Sequence, residues 1–304
     1  MTHSAAWQER PRAIVTGASS GIGRATAHAL AATGASVALL GRRLEPLEAT
    51  ARECAERGGE AVPIVADVAR RDEVEGAAER AVADWGGFDV WVNNAGVSQF
   101  GRIDETPPDV YERVLITNIH GCVHGSRAAI RQFRRQGHGR LINVSSVVGM
   151  VGQTYTSAYV ASKWAIIGLS QSLRMELADT PDITVSTVLP ASIDTPIFRQ
   201  AANYTGRAVR AMNPVYPPEQ VADAICSLIR RPKRRVIVGT AGRSLALLRR
   251  LSPASAEWMM KRQVETAHLD HDREAPHSAG NVLEPLDTGE GQVRDGWLDG
   301  SRDR

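Results

Sequence analysis

Ala13-Ile14-Val15-Thr16-Gly17-Ala18-Ser19-Ser20-Gly21-Ile22-Gly23 passes from a short β-branched run into a glycine-rich turn, and a helix-period segment from Arg24 to Thr33 follows it directly. Strand, glycine turn and helix in that order make a cradle for a dinucleotide. Glycines let the backbone turn tightly and approach a ligand, and the free N–H groups at the helix start favour a pyrophosphate. Gly17, Gly21 and Gly23 are spaced G-x-x-x-G-x-G, which departs from the general dinucleotide fingerprint G-x-G-x-x-G. The nucleotide reading therefore rests on the flanking strand and helix.

Working outward, strand and helix patterns alternate without a break. Ser36 to Leu40 reads as a second strand, Leu47 to Arg57 as a helix, Ala61 to Ala66 as a third strand and Arg71 to Trp85 as a helix. Phe88 to Val92 is a fourth strand ending in Asn93-Asn94-Ala95-Gly96. A long helix from Asp109 to Gln136, strands over Gly139 to Val144 and Ile183 to Leu189, a helix from Pro217 to Ile229 and a strand over Val236 to Gly239 complete the pattern. This order predicts a doubly wound α/β fold of Rossmann type, a seven-stranded parallel sheet with helices on both faces. Asn118 lies inside the long helix, where asparagine is an indifferent helix former; a local backbone irregularity holding a water would be one reason for it, but from the residue alone a solvated side chain is the expected reading. The second strand ends at Gly41-Arg42-Arg43. An acidic side chain at this place would accept from a ribose 2′-hydroxyl, whereas a guanidinium pairs with a 2′-phosphate, so NADP is the expected cofactor.

The stretch from Asn143 to Lys163 carries the chemistry. Tyr159 and Lys163 are four residues apart on one helical face, and Ser145 and Ser146 lie upstream on a strand end at the same crevice edge. An ammonium beside a phenol is expected to pull its pKa down, and a serine hydroxyl from another element can hold a carbonyl oxygen for protonation.

In combination, T-G-A-S-S-G-I-G, D-V, N-N-A-G, an Asn in the long helix, S-S and Y-x-x-x-K resemble the short-chain dehydrogenase/reductase family over about Arg12 to Gly239. The resemblance implies a catalytic tetrad of Asn118, Ser146, Tyr159 and Lys163. Ser146 is preferred to Ser145 because the family's serine usually lies thirteen residues before its tyrosine. Tyr159 would be the acid/base and Ser146 would hold the substrate oxygen. Lys163 would tune the phenol and bind the nicotinamide ribose, and Asn118 would position a water in a proton relay. Implied cofactor contacts are Gly17, Ser19, Ser20, Ile22, Arg42, Asp67, Val68, Asn94, Tyr159, Lys163, Ile193 and Thr195. Pro190-Ala191 stands where the family commonly has Pro-Gly, so a positive φ there would be less comfortable. The resemblance also implies a homodimer or homotetramer built on the long helices.

Composition bounds the partners. The 304 residues carry 43% hydrophobic and 23% charged residues and a formal charge of +2, which excludes a protein-wide field for nucleic acid. Cys54, Cys122 and Cys226 are scattered and odd in number, as in a reducing cytoplasm, and no metal-ligand spacing occurs. Residues 1–11 form an N-terminal arm without an apolar core of signal-peptide length, and no stretch is long and apolar enough to span a membrane. His268 and His271 fall in a polar tail, where solvation is expected. The variable lid, about residues 198–217, offers Phe198, Tyr204 and Met212, with Met150, Val151 and Tyr155 nearby. These suit an apolar ketone, aldehyde or alcohol of steroid, retinoid or other lipid-like type, unless they pack the lid itself. The basic run Arg230 to Arg235 is expected to be a solvated loop. Residues 240–304 form an extension. Two short amphipathic helices divided by Pro253 would cover the body, lie on a membrane surface as a peripheral contact, or engage a partner, with packing on the core or on a second subunit as the default. The remainder is expected to be irregular, anchored by Val282, Leu283, Leu286 and Trp297. The leading reading is an NADP-dependent oxidoreductase. The alternative is a catalytically silent nucleotide-binding interaction protein on the same fold.

Overall fold

Ile14 and Val15 point to opposite faces of one strand and both are fully buried, the pattern of a strand covered on two sides. The structure is a computed structural model that describes residues 10–286 and 291–298; expectations for residues 1–9, 287–290 and 299–304 lie outside the described residues. Strands β1 (Arg12–Thr16), β2 (Ser36–Gly41), β3 (Glu60–Val65), β4 (Val90–Asn93), β5 (Gly139–Val144), β6 (Ile183–Pro190) and β7 (Arg235–Val238) form one parallel sheet in the order β7-β6-β5-β4-β1-β2-β3. The chain leaves β3 at one edge and returns beside β1, so a crevice opens where the carboxyl ends of β1 and β4 diverge.

Helices α1 (Gly21–Ala31), α2 (Leu44–Glu56) and α7 (Pro218–Arg230) cover one face, burying Leu30, Leu47 and Ile225 against Val15, Leu39 and Val92. Helices α3 (Arg71–Trp85), α5 (Gly121–Gln136) and α6 (Ser157–Glu176) cover the other, where Phe133 packs with Phe88 and Trp91. Each such fully buried large side chain contributes roughly 2–3 kcal/mol. α2 begins three residues earlier than its periodicity suggested. Pro46 sits in its first turn, where a missing N–H costs nothing. The single long helix expected from the pattern is interrupted, and Asn118 is buried rather than solvated: α4 (Pro108–Leu115) passes through a π-turn, Ile116–His120, into α5.

The extension folds onto the body. Helices α8 (Thr240–Leu251) and α9 (Pro253–Gln263) meet at Ser252, whose hydroxyl caps α9 ahead of Pro253. Leu245, Ala256 and Met260 bury with Val151, so of the two default placements, core or second subunit, these residues take the core. Beyond them the irregular tail expected from composition contains a strand. A π-turn, Val264–His268, leads into β8 (Leu269–Glu274), which pairs antiparallel with Arg207–Val209. β8 has no β-branched residue, so only its partner edge reveals it. Val282 is fully buried beside Val97, Val110 and Val114, and Leu283 packs against the same group. Arg230 to Arg235 are exposed, as a solvated loop should be. Among the described residues no helix is long and apolar enough to cross a membrane.

Candidate active site

The glycine turn is built by close contact. Gly17 has φ +65°, and a Cβ on Gly23 would lie 2.0 Å from the Gly17 carbonyl oxygen, so neither place admits a larger residue without a shift. Asn94 holds the turn from the end of β4: its Nδ2 donates to the carbonyls of Thr16 at 3.0 Å and Gly17 at 3.3 Å, and Thr16 Oγ1 accepts from its backbone N–H. Asn93, one residue earlier, donates to Asn143 Oδ1 at 2.9 Å and ties β4 to β5. The pair therefore satisfies buried backbone and side-chain groups while shaping the crevice.

One cavity, of about 240 Å³, runs along this edge. Gly17, Ser19, Ser20, Ile22, Arg42, Asp67, Val68, Asn94, Ile193 and Thr195 line it together with Ser146, Tyr159 and Lys163. Of the sequence-predicted site residues only Asn118 stands behind the wall, 1% exposed. Its Oδ1 accepts from Val97 N–H at 2.9 Å, and its Nδ2 donates to the Val97 carbonyl at 3.0 Å and Ser162 Oγ at 2.9 Å. The two amide hydrogens are thus spent on the loop after β4 and on α6. Asp67 is likewise engaged, paired with Arg113 and accepting from Ala69 N–H at 2.9 Å.

α6 delivers Tyr159 and Lys163 to the cavity. Lys163 Nζ lies 5.3 Å from the centre of the Tyr159 ring and donates to the Val144 carbonyl at 3.1 Å. Ser145 Oγ is occupied by the Lys163 carbonyl at 2.8 Å, while Ser146 Oγ accepts weakly from Val148 N–H at 3.3 Å and neighbours the phenol. The expected lowering of the Tyr159 pKa by Lys163 does not emerge. Burial pushes the phenol up to about 12, with the Ser146 hydroxyl pulling the other way. Burial likewise brings Lys163 down to about 8. A low dielectric disfavours both charged forms, and here that outweighs their mutual attraction. Tyr159 stands as a neutral phenol, a proton donor.

Two further expectations change. Ala191 does not adopt a positive φ; among the described residues Tyr155 is the one non-glycine residue that does, at 65°. The Pro-Ala pair is therefore accommodated without left-handed strain at residue 191. Of the six apolar side chains offered for the pocket, Phe198 and Met212 line the cavity. Tyr204 packs with Val97 and Val110, Met150 with Leu189, and Val151 and Tyr155 with the extension.

The extension supplies what the sequence did not reveal. Arg42 donates to the Asn281 carbonyl at 2.7 Å, Arg43 to the Leu286 carbonyl, and Gly21 N–H to the Gln292 carbonyl at 2.8 Å. Asp194 accepts the backbone N–H groups of Asp295 and Trp297 at 3.0 and 2.9 Å. Residues 281–286 and 291–297 thus strap the end of the crevice formed by Gly21, Arg42 and Arg43. His268 lines the cavity and is 1% exposed, contrary to the solvation expected of it, while His271 is exposed. A lone histidine in a polar run has no periodicity to betray its burial.

Fold and site define a dinucleotide-binding α/β protein with a Tyr–Lys–Ser group at the crevice. A family model described as short chain dehydrogenase matches residues 11–205. The chain is 35% identical over 292 residues to "Uncharacterized oxidoreductase YxnA" of Bacillus subtilis (strain 168), covering 92% of this chain and 82% of that protein. Among solved structures, the alcohol dehydrogenase from Thermococcus sibiricus complexed with 5-hydroxy-NADP matches with TM-score 0.66 and 27% identity, over 75% of this chain and 96% of that one. A short chain dehydrogenase/reductase from Burkholderia phymatum in complex with NAD shares the fold, with TM-score 0.74 and 24% identity, over 82% of this chain and 95% of that one. The chain belongs to the short-chain dehydrogenase/reductase family and is an oxidoreductase of its NAD(P)-dependent type, with an added C-terminal extension.

Proposed function

We propose that the protein interconverts a ketone or aldehyde and an alcohol, with NADP preferred and an apolar, lipid-like substrate. The observation that carries this reading is that Ser146, Tyr159 and Lys163 open onto the same cavity as the glycine turn. The residues present fit a dinucleotide: the Gly17–Gly23 contact leaves a tight turn at the helix start, and Arg42 and Arg43 stand on the rim where no carboxylate follows β2. The tail carbonyls of Asn281 and Leu286 accept from these arginines. The nicotinamide, when bound, supplies or accepts the hydride.

The chain's own residues handle position and proton. Ser146 Oγ donates to the substrate oxygen, and Tyr159, a neutral phenol, gives that oxygen its proton as the carbonyl is reduced. In the reverse direction the same phenol oxygen takes the proton back. Lys163 holds a positive charge beside the phenol and binds the nicotinamide ribose, and Asn118 braces the loop carrying Gly96 and Val97 beneath them. Phe100, Phe198 and Met212 shield the reacting carbon and suit an apolar body. The free cysteines accord with a cytoplasmic setting.

Replacing Tyr159 with Phe should lower turnover by about two to four orders of magnitude while NADPH binding, followed by fluorescence titration, is retained. A fully active Tyr159→Phe protein would refute the mechanism. For the cofactor, NADPH should bind far more tightly than NADH and Arg42→Ala should narrow the gap; equal affinities in the unaltered protein would overturn the preference. A protein that binds NADPH yet reduces no member of a broad carbonyl panel would point instead to the catalytically silent alternative.

A further inference from the structure

His268 comes from the extension, yet it stands in the wall of the cavity that holds Tyr159 and Ser146. Two backbone-level facts set its position. The π-turn Val264–His268 ends there, and the pairing of Leu269 with Val209 brings Arg210 alongside. Arg210 N–H donates to the His268 carbonyl at 2.9 Å, and His268 Nδ1 in turn meets the Arg210 carbonyl. The ring lies edge-on to Phe100 at 4.8 Å and to Phe198 at 5.5 Å between centres. Its orientation is therefore set on three sides.

A carbonyl oxygen can only accept, so Nδ1 must carry the ring proton and Nε2 must present a lone pair. Burial also pushes the imidazole down to about 4, so the ring is neutral in the physiological range. Among the described residues none donates to Nε2, and the ring that carries it lines the cavity. The two rings packed against it, Phe100 and Phe198, cannot supply a hydrogen bond. A ligand without a donor would desolvate this lone pair and leave it unmatched. A ligand with one would satisfy it.

We propose that His268 Nε2 is a substrate-recognition acceptor and that the substrate is an apolar carbonyl compound or alcohol bearing, apart from its reacting carbon, a hydroxyl or N–H group that donates to it. This deepens the oxidoreductase reading and rests on it, because the cavity is the same. The class is a hydroxylated cyclic or lipid-like molecule, distinguished from one that is apolar throughout or carries only acceptors.

The test uses the full-length protein and sets of bicyclic ketones, decalones with a hydroxyl walked around the distal ring, each with its methoxy and unsubstituted counterparts. For at least one position the unaltered protein should prefer hydroxyl over methoxy by about tenfold in kcat/KM. His268→Phe keeps an aromatic ring against Phe100 and Phe198. His268→Asn keeps a donor able to reach the Arg210 carbonyl while leaving nothing at Nε2. Both should bring the ratio close to one, and His268→Gln, whose amide oxygen reaches the Nε2 place, should restore part of it. Calorimetric binding of the same compounds to NADP⁺-loaded protein reads the preference without turnover, and melting curves identify any variant that fails to fold. A hydroxyl preference that is absent in the unaltered protein, or that survives in folded His268→Asn, overturns the proposal, as does failure to bind any of the compounds. Hydroxyl-dependent binding that vanishes in the variants, with no turnover of any ketone, sustains the recognition and defeats the oxidoreductase reading. Turnover of every ketone without hydroxyl preference does the reverse.

Discussion

Tyr159 and Lys163 share one face of α6, and their spacing suggested an acid/base pair only in combination with the serine pair and the glycine turn; the shifts in their pKa values come from burial. With Lys163 brought down to about 8 and Tyr159 pushed up to about 12, carbonyl reduction, which uses the protonated phenol and the ammonium, should be level below about pH 8 and fall above it, by up to tenfold per unit. A reduction profile with no break near pH 8 would contradict the assignment. The same group acts on stability. Its pKa is 10.5 when unperturbed and lower when folded, so the unfolded chain binds the extra proton and stability rises with pH through the window from about 8 to 10.5. Below that window the buried ammonium costs up to about 3 kcal/mol. Lys163→Met should therefore be inactive yet unfold at higher urea than the unaltered protein at pH 7, with the difference shrinking toward pH 10. Equal midpoints at pH 7 would exclude such a cost.

At the scale of elements, the strands and helices of the sheet were legible because each carries its own period, whereas the break at Asn118 was not decided by the sequence, because an interior asparagine is as readily solvated as buried. β8 and the strap were not legible either. Their residues are polar or irregular, and what orders them is a distant partner: Val209 for Leu269, Gly21 for Gln292 and the Val97–Val114 group for Val282. Val282 is the strap's apolar anchor, so Val282→Asp should release the strap while the sheet stays folded, since a carboxylate there has no partner. Hydrogen exchange at the Gly21 amide, which now donates to Gln292, should quicken, and NADPH release should quicken with it. Unchanged protection at Gly21 would show that the strap is held by other means.

For the whole molecule, the outer faces of α4 to α6 expose Ile116, Trp164 and Met175, the last by 78%. These faces belong to the helices on which the family resemblance places the subunit contact, and exposed apolar side chains of this size favour a second copy. Arg249 of α8 stacks over Trp164 at 4.5 Å, so the extension would border that interface. Light scattering should give at least twice the 32.8 kDa chain mass, and Trp164→Glu with Met175→Glu should reduce it to a single chain. A single-chain mass for the unaltered protein would rule the interface out. By itself the sequence determined the layered α/β fold, the crevice edge and the Ser–Tyr–Lys group, because periodicity, glycine spacing and helical register are local properties of the chain. The tertiary structure alone decided that burial raises the Tyr159 phenol and lowers Lys163, that His268 lines the cavity and that the tail closes over the glycine turn. Each of those depends on burial or on hydrogen bonds between residues far apart in sequence, such as Arg210 with His268 and Arg42 with Asn281, which local pattern cannot encode.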